Sequence, residues 1–300
     1  MPRSVFLGVT LVTFGLTACG KDSGPSASLT NEQAAEIGGA IASQITTVAA
    51  SFTATGLETS PFLAPAFARS LGGARLAPPR VSGPCPVIDD LTDADGDGVL
   101  DNATITFDPV DCVGAGYVVS GSVHVTDPST SDASVVGYNA TYTNLATDLT
   151  GQNNDHINVS LNGSHGVLGT ATSATLSENL TLAIDAQSGT EMLNGTFSQI
   201  WQVAFTPDPN NTLVMDGPLP DGQLVVNGTT HWQVNGENFT FSILAQSPLA
   251  YDATCEGQDF PFTSGELRAN LQGSNGSAYI RIQFQGCGVT PLVQYFGSNA

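Results

Sequence analysis

The sequence predicts an all-β protein, mainly antiparallel, preceded by a single N-terminal amphipathic helix. Three observations predict it. From about residue 104 onward, apolar and polar residues alternate with a period of two through most of the chain. Asn-Gly pairs at Asn235-Gly236 and Asn275-Gly276 flank such runs, and this dipeptide favours the tight turn of a β-hairpin. Only residues 31–51 carry apolar side chains at helical spacing.

The first element is an export signal over residues 1–18. Arg3 supplies a short positive start, Val5 to Leu16 is an apolar run, and Leu16-Thr17-Ala18-Cys19 follows. A run this short, ending in small residues, reads as a cleaved signal rather than a spanning helix. The Leu-small-small-Cys ending resembles the lipobox of bacterial lipoproteins. That resemblance implies a mature chain that begins at Cys19, carries lipid on its sulfur and is anchored to a membrane of the cell envelope. In the family's sorting rule, Gly20 rather than Asp after the cysteine points to the outer membrane. Residues 19–29 are small and polar, a flexible tether.

Thr30 with Gln33 three residues on fits a capping box. Behind it Ala34, Ile37, Ile41, Ile45 and Val48 form a stripe at spacings of three and four, so the helical unit spans 30–51. Gly38-Gly39 weakens its middle by about 1 kcal/mol per glycine relative to alanine. Residues 52–84 hold five prolines and no period, a proline-rich linker.

The β-domain occupies 85–300. Ile157/Val159/Leu161, Leu180/Leu182/Ile184, Trp201/Val203/Phe205, Phe239/Phe241/Ile243 and Ile280/Ile282/Phe284 each alternate with mostly polar neighbours. This is the pattern of antiparallel strands with one wet face. About ten to twelve strands are expected, as a curved, barrel-like meander or a two-sheet sandwich; the period of two fits both. Asn-Gly and Ser-Gly repeats place glycines at 121, 163, 195 and 228, a weak internal echo. Trp201 and Trp232 read as core, and the four histidines as solvated strand positions.

The chain has 27 acidic and 7 basic residues, a net charge of −20. A body this acidic repels nucleic acid and anionic headgroups, which excludes both as direct partners of the folded part. Cys85, Cys112, Cys255 and Cys287 remain once Cys19 is set aside. An even count in an oxidising compartment implies two disulfides. Four cysteines allow three pairings; sequence neighbours favour Cys85–Cys112 and Cys255–Cys287. No Cys-x-x-Cys pair supports zinc instead.

One segment carries recognisable site chemistry: Asp93-Ala-Asp95-Gly-Asp97-Gly98-Val99-Leu100-Asp101. Carboxylates at alternate positions of a tight loop converge on one centre, as hard Ca²⁺ requires. The run resembles the start of EF-hand loops and the repeats of thrombospondin type 3. By that resemblance Asp93, Asp95, Asp97 and Asp101 are side-chain ligands and Val99 is the backbone one. Position twelve departs from the pattern, being Thr104 rather than a bidentate Glu, so Asp89 or Asp90 is a candidate for the missing oxygens. A structural ion is expected, not a switch that opens a helix pair.

Catalytic motifs are missing. The chain contains no G-x-S-x-G, no H-E-x-x-H and no phosphate-binding loop. Its only lysine, Lys21, lies beside the anchor, which removes Schiff-base chemistry from the body. The expected function is a non-enzymatic, membrane-anchored envelope protein that binds or supports another envelope protein or a glycan. Alternatives are a carrier holding lipid in a curved sheet and, further off, a glycan hydrolase.

Overall fold

The computed structural model describes residues 29–54, 85–114, 116–150, 155–188, 191–215, 217–234, 237–255, 258–274 and 278–297. The expected export signal, Cys19, residues 55–84 and both Asn-Gly pairs, where hairpin turns are expected, lie outside the described residues.

The capping box forms as the sequence implies. Gln33 N–H donates to Thr30 Oγ1 at 3.1 Å, and Thr30 N–H donates to Gln33 Oε1 at 3.0 Å. Helix α1 (Asn31–Ala50) then buries the whole predicted stripe, together with Gly38, Ala42 and Ala49. A 3-10 turn over Ser51–Thr53 continues it and places the Phe52 ring 5.5 Å from Phe205. The two glycines differ in purpose. A Cβ on Gly38 would stand 2.5 Å from Val293 Cγ1 and 3.1 Å from Ile280 Cγ2, whereas one on Gly39 would meet nothing within 4 Å. Gly38 lets the helix close on the last two strands; Gly39 has no such role.

Among the described residues thirteen antiparallel strands form one sheet. They are β1 (Val87–Ile88), β2 (Asn102–Phe107), β3 (Val113–Gly114), β4 (Tyr117–Thr126), β5 (Val135–Thr150), β6 (His156–Thr170) and β7 (Ser173–Ser188). After them come β8 (Glu191–Pro207), β9 (Gly222–Val234), β10 (Glu237–Tyr251), β11 (Phe262–Leu271), β12 (Tyr279–Phe284) and β13 (Leu292–Phe296). Chain order is sheet order, except that β3 lies off the path and pairs only β4. The sheet is a meander that does not close: β1 and β13 are its two ends. Among the described residues every strand belongs to one hydrogen-bonded network. Both end strands are short, which limits edge-to-edge pairing with other chains.

Parity decides which side chains enter the core. Odd residues of β6 (Val159, Leu161, Val167), even residues of β7 (Leu176, Leu180) and odd residues of β8 (Trp201, Val203, Phe205) are buried. All of these but Val159 join α1 and the later strands in a continuous apolar core running from Leu29 to Phe284. Trp201 is sealed in it, its Nε1–H donating to Thr230 Oγ1 at 2.9 Å. Trp232 is partly buried and meets Phe197 edge-on at 4.8 Å.

The glycine echo has a local cause at two positions. The β4–β5 register shifts at Ser120/Ser122 and the β5–β6 register at Tyr142/Leu145. Gly163, opposite Tyr142, has φ +120° and backs so closely on β7 that a Cβ would lie 2.0 Å from the Asn179 carbonyl oxygen. Such bulges bend long strands.

Both disulfides form between sequence neighbours. Cys85–Cys112 and Cys255–Cys287 have Cα separations of 5.2 and 5.6 Å, within the range a disulfide accepts. They close 27 and 32 residues, contributing about 3.5 kcal/mol each in the chain-entropy model. The two arginines of the β-domain clasp its last strands. Arg281 Nε–H donates to Glu266 at 2.8 Å, and Arg268 lies 3.7 Å over the Tyr279 ring.

Candidate metal centre

The acidic loop joins β1 to β2, and the Cys85–Cys112 bridge ties together the segment containing it. Its base is closed by Asp101 N–H donating to the Thr92 carbonyl at 2.8 Å. Within it, backbone N–H groups hold the carboxylates in place. Asp93 accepts from Gly96 N–H (2.7 Å) and Gly98 N–H (3.1 Å), Asp97 from Val99 N–H (2.8 Å), and Asp101 from Ala94 N–H (3.0 Å). Gly98 stands at φ +94°, a left-handed turn that a side chain would strain. Val99 and Leu100, both buried, pin the end of the loop to the body.

One carboxylate oxygen from each of Asp93, Asp95 and Asp97 lies within 4.8 Å of the others. Oxygens bound to Ca²⁺ at about 2.3–2.6 Å stand no more than about 5 Å apart across the ion, so the spacing fits. The donor set is also left wanting a positive charge: Asp95 Oδ2 and Asp97 Oδ2 are buried without a hydrogen-bond partner. Burial holds the Asp97 carboxyl above the ordinary carboxylate range, and the charges of Asp95, Asp127 and Asp93 add to the rise. Asp101 sits at the loop's foot, held by Ala94.

The structure gives Asp89 and Asp90 other tasks. Asp89 Oδ1 accepts from Thr104 N–H at 2.6 Å, and Asp90 Oδ1 accepts from both Thr92 N–H and its hydroxyl. These bonds hold both carboxyls below their usual range. The acid that instead adjoins the loop is Asp127, just past β4, missed in the sequence because 26 residues separate it from Asp101. Its signal was available: Val123 and Val125 face inward, and residue 127 shares their parity.

Parity also exposes a second feature. His124, His156 and His231 lie on exposed or half-buried positions as expected, but His165 does not: it is 2 % exposed on the inner face of β6. Its Nε2 meets Tyr138 Oη at 2.7 Å, and its Nδ1 meets Glu178 Oε1 at 2.7 Å; Gln199 Nε2–H donates to Glu178 Oε2. The result is a polar ladder across β5, β6, β7 and β8 inside the apolar core. The His165 and Glu178 side chains have no solvent-accessible surface, so a substrate cannot touch them in this arrangement. A row of this kind penalises any slipped strand pairing, since a slip would bury its groups unpaired.

On the opposite, outer face a groove of about 540 Å³ is lined by Asn158, Asp185, Asn194, Thr196 and Gln233, among others. Asn158, Asp185 and Asn194 are cross-strand neighbours, so amides and a carboxylate form one polar row.

Among the described residues no helix is long and apolar enough to cross a membrane. No protein-family model, curated protein or solved structure matches this chain.

Proposed function

We propose that this chain is a lipid-anchored protein of the bacterial cell envelope, held at the outer membrane through Cys19. Its β-domain is a non-enzymatic binding or structural module stabilised by calcium. The observation that supports this most is the set of partnerless carboxylate oxygens gathered in a disulfide-closed loop. Such a loop repels itself until a cation enters it, and oxidising conditions and millimolar calcium occur together outside the cytoplasm. The lipobox-like Leu16-Thr17-Ala18-Cys19 gives the same address. Sealing of the His165–Glu178 pair favours binding over catalysis. The outer groove sets amides and a carboxylate beside Ala183, Ile184 and Gly195, a mixed lining that suits a partner with both hydrogen-bonding and apolar faces, such as a glycan or an envelope protein. A lipid carrier is the weaker reading, because α1 already covers part of the apolar face.

Metabolic labelling with a palmitate analogue in a bacterium that processes lipoproteins tests the anchor. The wild-type chain should be labelled and recovered with membranes, and Cys19→Ala should be neither. An unlabelled wild-type chain would end the lipoprotein reading. Isothermal titration of the purified chain with CaCl₂ tests the ion; no heat at millimolar calcium would end that part.

A further inference from the structure

We propose that Asp127, at the end of β4, is a calcium ligand that completes the Asp93–Asp101 loop, so that the ion bridges the loop to the sheet. The inference rests on the calcium reading above and names a residue outside the loop's own motif.

The loop lacks its strongest expected ligand. Position twelve is Thr104, which lies within β2 and whose backbone serves Asp89. The β2–β4 ladder offers a replacement from across the sheet. Asn102 pairs with Thr126, so the residue that follows β4 emerges beside Asp101, the last acid of the loop. There Asp127 N–H donates to the Asp101 carbonyl at 3.3 Å. The carboxyl is then divided between two tasks. Oδ1 turns back to accept from Ser129 N–H at 2.8 Å, and Oδ2 is left buried with no partner. The residue as a whole is 8 % exposed. Its charge acts on Asp97, and it in turn feels Asp95, Asp101 and Asp93. Asp127 Oδ2, buried without a partner and near other acids, is costly until a cation or a proton neutralises the group. The carboxylates that already converge are Asp93, Asp95 and Asp97, and Asp127 joins them by turning Oδ2 towards the ion. Many oxygens on a flexible loop suit Ca²⁺ better than Mg²⁺, which keeps its waters and demands an octahedron.

The test uses the full chain purified in detergent, as wild type, Asp127→Asn and Asp132→Asn. Asp132 is a control for loss of one negative charge, since its carboxylate only closes a local turn onto Ser134. Calcium titration should give Asp127→Asn an affinity lower by about tenfold or more, with Asp132→Asn near wild type. Thermal unfolding should invert in sign: Asp127→Asn melts below wild type in calcium and at or above it in chelator, where the substitution relieves repulsion. If wild type binds calcium and Asp127→Asn binds it equally well, the inference fails and the loop alone is the site. If Asp127→Asn is the less stable protein in chelator too, Asp127 serves the turn and not the ion, and the inference is again overturned. If wild type binds no calcium, the calcium reading fails and takes the inference with it.

Discussion

Removal of Glu178 tests the buried ladder quantitatively. In Glu178→Leu, His165 Nδ1 and the Gln199 amide both lose their acceptor in a site closed to water. Each orphaned group costs about 1–3 kcal/mol. The sum agrees with the roughly 3–5 kcal/mol of a broken buried pair. For a β-domain of this size, about 2–4 °C per kcal/mol applies, so the melting point should fall by about 6–20 °C. His165→Leu leaves Glu178 Oε1 without its partner and removes one hydrogen bond of Tyr138 Oη, and should cost a similar amount. The double variant removes the same Tyr138 bond and leaves Gln199 Nε2 without its acceptor, so it should cost about as much as one single, not as much as both. Replacing Tyr138 by Phe and Gln199 by Leu as well should recover much of the loss, since a well-packed apolar row is close to neutral. Urea unfolding of the set, in calcium throughout, gives the cycle directly. Additive single costs, or singles below about 1 kcal/mol, would refute the claim that these four side chains act as one unit.

Further outcomes follow from the same structure. Chelation should lower the melting point of the wild-type chain: an affinity near 10 µM at 1 mM calcium gives about 2.7 kcal/mol, or about 5–11 °C; calorimetry with and without EDTA reads it. The pH dependence has a definite sign. Asp97 and Asp127 are held above the ordinary carboxylate range, first by burial and then by neighbouring acids. Without metal, their contribution is favourable below their unfolded values and is lost as pH rises through the raised ones. Protons also compete with calcium, so the gap between the calcium and chelator melting points should narrow from pH 7 to about 5. The depressed Asp89, Asp90, Asp132 and Asp252 carboxyls act the other way only below about pH 4. A gap that widens on acidification would contradict this. In α1, Gly38→Ala should destabilise by about 1–3 kcal/mol through contact with Val293. Gly39→Ala, facing open space, should stabilise by about 0.5–1 kcal/mol. Equal effects in denaturant melts would disprove the asymmetry.

Much of this architecture is legible in the sequence because a half-buried sheet writes its faces into alternate residues. Ile157 to Leu161 and Trp201 to Phe205 place themselves, and Thr30 with Gln33 marks where α1 starts. The strands β1 and β3 escape notice because two residues cannot display a period. His165 and Glu178 escape for a different reason. Polar types suggest solvent, yet their parity matches that of Leu161 and Leu180, and position on the pleat decides the face. Within the candidate metal centre, Asp93, Asp95 and Asp97 converge through local turns, so spacing alone reveals them. Asp127 comes beside the loop through pairing of β2 with β4; its parity with Val123 and Val125 gives its face, but not which strand it meets. Proximity in sequence made Asp89 and Asp90 attractive, but in each Oδ1 accepts from a neighbouring N–H group instead.

A crystal structure of the mature chain grown with millimolar calcium tests the central claim most directly. The account predicts an anomalous peak among Asp93, Asp95 and Asp97, with carboxylate oxygens about 2.3–2.6 Å away and Asp127 Oδ2 turned towards it. An ordered loop holding only water, with those oxygens paired to other protein groups, would contradict it.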